Sequence, residues 1–159
     1  MVGQAAVARR LGDLTRSRAL LTAADSQYRE AGLPEGQPQV LVGLAWWALA
    51  AGRPADATAF AAGAAQAASP SGDQATQLLA NTAVAAVKAI TDPTPPSINA
   101  FLALAQQRAS GPAYTSLTDE PDVAALAARL ARPPSASPQR HLRSPEQPGD
   151  HEANARLAP

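Results

Sequence analysis

Few residues in this chain have the type and spacing to do chemistry. Its two histidines, His141 and His151, fall in a Pro- and Ser-rich stretch near the C-terminus. A general base must be held within hydrogen-bond reach of the proton it takes, and such a stretch provides no fixed geometry. No Gly-x-Ser-x-Gly elbow or comparable arrangement ties a serine to a histidine and a carboxylate. There is no cysteine, which excludes disulfides and thiolate metal sites. The acidic run Asp119, Glu120 and Asp122 has the spacing of no calcium loop. It is expected to complement the dipole at the start of a helix. Arg9, Arg10, Arg16 and Arg18 form a small basic cluster, interrupted by Asp13 and without interleaved aromatics. A solvated helix face explains it better than contact with nucleic acid. The residues therefore point away from an enzyme and imply no metal and no cofactor.

The elements that must position any site are helices. Leu41–Ala68 reads as two Ala-rich helices folded back at Gly52-Arg53-Pro54. Glycine suits a helix C-terminus and proline the first turn of the next helix. Leu41, Leu44, Ala45, Ala48 and Leu49 recur at helical spacing before the turn, and Ala57, Phe60, Ala61 and Ala64 after it. Small residues on both stripes let the two axes approach closely. Around this hairpin, helices are expected over 4–11, 14–31, 37–51, 55–68, 74–90, 97–108 and 119–131. The breaks are Gly12-Asp13, Gly32-Leu33-Pro34, Ser69 to Asp73, Asp92 to Pro96, and Gly111-Pro112. Residues 133–159 hold almost no large apolar side chain and are expected to be disordered. The absence of a capping residue before the first helix suggests the tail end of something longer.

Composition narrows the class. At 159 residues the chain suits one domain. Hydrophobic residues make up 46% but aromatics only 4%, because alanine carries much of the apolar count. Such a core relies on many close helix contacts more than on a few large anchors. Lys+Arg 13 balance Asp+Glu 13, so no global field favours nucleic acid or an anionic membrane. The longest apolar run, at roughly 13 residues, falls short of the ~20 that span a bilayer. The N-terminus lacks the order of a secretory signal, so a cytoplasmic protein is expected.

Laid over itself at a period of about 40 residues, the chain repeats. Ala5, Ala45 and Ala85 coincide, as do Leu21, Ala61 and Phe101, and Gly12 falls on Gly52 and then Asp92. The expected fold is all-α: three tandem antiparallel helical hairpins over 4–31, 37–68 and 74–108. A capping helix, 119–131, completes a domain of residues 1–132.

In the central repeat, Leu44, Ala45, Gly52, Asp56 and Ala57, followed by Ala61 and Ala64, resemble the tetratricopeptide repeat. The stretch LGDLTRSRALLTAADSQYREAGLPEGQ is similar to longer repeats in the C-terminal sensor region of actinobacterial regulators, including the AfsR/SARP type. Ser17 departs from the pattern in the first repeat, and Asp92 and Ser97 in the third, so the third unit is expected to be a degenerate cap. The resemblance implies a right-handed superhelix whose first helices line a groove. Carried over position by position, the groove residues would be Arg9, Arg10, Gln39, Val42, Trp46, Leu49, Leu79, Thr82 and Ala86. Trp46 rimmed by arginine would be a peptide anchor. Its other role, shared with Trp47, would be to fill space between alanine-rich hairpins. The function implied is non-catalytic binding of a protein or peptide in a transcriptional or signalling regulator. Self-association through the N-terminal repeat edge would be possible, with no direct nucleic-acid or membrane partner. The alternatives are DNA binding through the basic first helices and a small-molecule sensor beside Trp46.

Overall fold

Alanine and leucine are among the strongest helix formers, and between the breaks they have no competitor. The computed structural model describes residues 1–111 and 119–132. The expected disordered stretch 133–159, with His141 and His151, lies outside the described residues, as does Pro112. Seven helices follow in order: α1 (Val2–Arg10), α2 (Leu14–Glu30), α3 (Gln37–Ala50), α4 (Pro54–Ala68), α5 (Gln74–Thr91), α6 (Pro95–Ser110) and α7 (Glu120–Leu130). Single 3-10 turns, Pro34–Gly36 and Ser69–Ser71, lead into α3 and out of α4. Among the described residues there is no strand. No helix among them is long and apolar enough to cross a membrane.

The turns are built from the residues that mark them. Gly12 and Gly52 sit at φ 84° and 68°, where only glycine is unstrained. Beyond each, a backbone N–H reaches back to cap the helix: Asp13 to the Ala8 carbonyl at 2.9 Å, and Arg53 to the Ala48 carbonyl at 2.8 Å. The same stop thus recurs 40 positions on. At Asp92 it changes, because the residue stands at φ −135°. Thr94 and Ser97 then start α6 as a capping box, with the Thr94 N–H donating to Ser97 Oγ at 3.0 Å.

Asp73 starts α5 by accepting from the backbone N–H groups of Ala75 and Thr76. The Thr76 hydroxyl, followed by those backbone donors, holds its carboxyl below the ordinary value. A carboxyl with a lower folded than unfolded pKa stabilises the fold above its unfolded value, and loses that effect as pH falls through the folded value. The stability of Asp73→Ala is therefore expected to fall less steeply than that of the unaltered chain between about pH 4 and pH 2. Denaturant melts across that range measure it. Parallel profiles would contradict the assignment.

The helices pair as α1 with α2, α3 with α4, and α5 with α6. α2 also lies on α3 and α4 on α5, while α1, α3 and α5 touch in succession. Two apolar clusters result. One joins the first two hairpins through Leu21, Val40, Trp47 and Ala61. The other joins α3 to α7 through Val42, Trp46, Leu79, Phe101, Val123 and Leu126. Consecutive tryptophans on α3 thus serve different clusters. Trp47 Nε1 donates to the Leu14 carbonyl at 2.9 Å, and Arg18 and Arg53 lie over its ring at 4.9 and 5.6 Å. Leu21, Ala61 and Phe101, which coincide at the sequence period, are all buried.

The approach of α2 to α3 depends on a missing side chain. A Cβ on Gly43 would stand 2.6 Å from Cδ2 of Leu21, which is itself buried. Overpacking costs about 1–3 kcal/mol, against a helix-propensity gain of up to about 1 kcal/mol for replacing glycine with alanine. Gly43→Ala is expected to lower the urea midpoint, and a raised midpoint would contradict this packing.

A candidate binding face on α1, α3 and α5

Five expected groove residues, Arg9, Arg10, Val42, Trp46 and Leu49, come together, and what they meet is α7. Asp119, the residue before α7, is almost wholly buried. Its carboxylate makes no cap bond to the helix. It accepts instead from Arg108 at 2.8 and 3.2 Å, one nitrogen of the guanidinium to each oxygen, and from Trp46 Nε1 at 3.2 Å. One turn on, Asp122 accepts from both terminal nitrogens of Arg9, at 2.9 and 2.8 Å. Arg10 lies 3.5 Å from the same carboxylate. The Arg9 guanidinium also stands 5.9 Å from the Trp46 ring centroid. Trp46 is therefore held at its N–H by one end of this network and at its ring by the other.

The expectation that the acidic run serves only the dipole of its own helix is corrected here. A bidentate arginine–carboxylate pair is stronger than a single cap bond. A buried guanidinium such as that of Arg108 is also costly without a counter-charge. The expected solvated basic cluster holds for Arg10, Arg16 and Arg18, which are exposed, Arg18 over the Trp47 ring, but not for Arg9, which is buried on Asp122.

Below the carboxylates, Val123 and Leu126 of α7 are buried among Val42, Trp46 and the α5 side chains Leu79, Ala83 and Ala86. Beside them runs a cleft of about 410 Å³ bordered by Arg9, Trp46, Leu49, Ile90 and α7. Trp46 is only 6% exposed, so its ring is part of the packed core. The remaining expected residues lie elsewhere. Thr82 is fully buried and its hydroxyl donates to the Leu78 carbonyl at 2.6 Å. It has turned back onto its own helix, a bond open to threonine in a helix interior, and offers no donor to a ligand. Gln39 stands two turns before Trp46, half-buried and outside the cleft lining.

Asp119, Asp122 and Arg108 were not foreseen as site residues. A signal existed for Arg108: it continues the Phe101 and Ala105 stripe of α6, and a charge on a buried stripe requires a partner. Ser17 adds a smaller feature. Its buried hydroxyl has no hydrogen-bond partner among the described residues and borders a cavity of about 10 Å³, room for a single water. The arrangement pairs forked cations with carboxylates above an apolar floor. Comparison with protein-family models, with curated proteins and with solved structures returns no match for this chain.

Proposed function

We propose that this chain is a non-catalytic protein- or peptide-binding module of tetratricopeptide type, the sensor or interaction part of a bacterial transcriptional or signalling regulator. Its binding face is formed by α1, α3 and α5. The 40-residue recurrence of the glycine stop and the succession of α1, α3 and α5 support the repeat reading. The observation that carries the binding reading is α7 itself, an amphipathic helix held on this face by Arg9 and Trp46 from residues far away in sequence. A DNA-binding reading is weakened because Arg9 of the basic cluster is committed to Asp122.

A photo-crosslinking side chain at Ala50, which is exposed and borders the cleft, tests this in the host cell. The same group at Ala62, exposed on α4, is the control. Polypeptide adducts at position 50 in excess of position 62 are expected. Adducts to nucleic acid, or equal yields at both positions, would contradict the proposal.

A further inference from the structure

We infer that α7 is a built-in stand-in for the partner, and that the partner is an acidic amphipathic helix presenting two carboxylates one turn apart ahead of an apolar stripe. It competes with α7 for Arg9, Trp46 and Arg108. This rests on the binding face proposed above and names the class of ligand that face accepts.

Charge complementarity carries the argument. The face and its neighbour α6 present two arginine forks, Arg9 and Arg108, each spanning a carboxylate with two hydrogen bonds. Asp119 at the N-cap and Asp122 in the first turn of α7 match them, their carboxylates meeting Arg108 and Arg9 respectively. Trp46 Nε1 adds a neutral donor to the same oxygen of Asp119 that Arg108 Nη1 contacts. The spacing of the receiving groups therefore specifies the spacing of carboxylates on any helix that replaces α7.

The rest of α7 contributes little identity. Among its described side chains Val123 and Leu126 are buried and Ala127 and Leu130 pack partly buried beside them, while Ala124, Ala125, Ala128 and Arg129 are exposed. A competing helix needs the carboxylate pair and apolar side chains one and four positions after the second carboxylate, with a further apolar contact where Leu130 packs. The helices that carry the face are packed on one another as well as on α7, whose Val123 and Leu126 share the cluster of Val42 and Trp46. The cluster around Leu21, Val40 and Trp47 contains no α7 residue, and α3 is packed against both α4 and α5.

The test uses the full chain and a labelled synthetic peptide of residues 119–132 as probe. In the unaltered chain α7 occupies the face, and a site open only part of the time binds with an affinity reduced by that fraction. The chain carrying Asp119→Asn and Asp122→Asn weakens its own α7 while leaving the face intact. It is expected to bind the peptide at least about tenfold more tightly than the unaltered chain. Adding Arg9→Glu to that chain, or placing the same two Asn changes in the peptide, is expected to abolish the gain. Equal affinity in all chains, or no binding to a doubly altered chain whose helical circular dichroism and Trp47 environment are preserved, overturns the inference. If polypeptide adducts still form at position 50, that failure removes the acidic helix and leaves the binding face standing. A dimer of the unaltered chain that the peptide dissociates would make a second copy the occupant and overturn the separate partner.

Should the doubly altered chain not fold, hydrogen exchange on the unaltered chain decides the matter. Amides of α7 are expected to exchange by local opening, ahead of those in α3 and α4. Exchange of α7 only through global unfolding would make it an integral core helix and overturn the inference.

Discussion

Asp119→Ala is expected to release α7 and to cost about 3–5 kcal/mol, the usual consequence of removing one partner from a buried ion pair. The side chains of Asp119 and Arg108 are 3% and 1% exposed, so water does not compensate in place. The change also strips the acceptor from Trp46 Nε1, and an unsatisfied buried donor adds about 1–3 kcal/mol. These penalties do not simply add. Once α7 lifts, Arg108 and Trp46 regain water, so the loss is capped by the free energy with which α7 docks. Burial of Val123 and Leu126, at about 1.5–3 kcal/mol each, sets much of that free energy. Urea denaturation followed by tryptophan fluorescence measures the result. A loss below about 1 kcal/mol would show that the pair contributes little to holding α7.

Phe101→Ala is expected to cost a similar amount, about 3–5 kcal/mol, by a different route. Phe101 is the largest of the fully buried side chains and lies where α5, α6 and α7 meet. Truncation leaves a cavity in a core otherwise built largely of alanine, whose short side chains cannot close over it. Unlike the Asp119 change, this one cannot be relieved by lifting α7, because Phe101 also packs the α5–α6 hairpin. Its cluster joins α3 to α7, so one cooperative transition at lower urea is expected. An unchanged midpoint would remove Phe101 from the core.

Much of the fold was legible because its signals are local. Gly12 and Gly52 mark helix stops that depend on the left-handed backbone glycine tolerates, and Asp13 and Asp73 cap the helices that follow. Apolar spacing indicated seven helices, and the described residues form seven. The site was legible only in part. Arg9, Arg10, Val42, Trp46 and Leu49 converge, but their counterparts on α7 are hidden by distance: Arg9 and Asp122 are 113 residues apart. Asp119 also misleads locally, since an acidic residue at a helix start already has a sufficient role in the dipole. Of the two readings of Trp46, the structure bears on the filler: its ring is packed, and its N–H donates to Asp119 of the same chain. Thr82 shared the stripe of the groove residues, yet hydroxyl direction is set by rotamer and not by helical period.

The most direct measurement of the central claim, that residues of α1 recognise a carboxylate-bearing helix, is the coupling energy between Arg9 and Asp122. It requires the unaltered chain, Arg9→Ala, Asp122→Ala and the double variant, each taken through urea denaturation. A coupling of about 1–3 kcal/mol, as found for residues in direct contact, is predicted. Strictly additive losses would mean that α7 is held by burial alone, and the carboxylate recognition argued for this face would not stand.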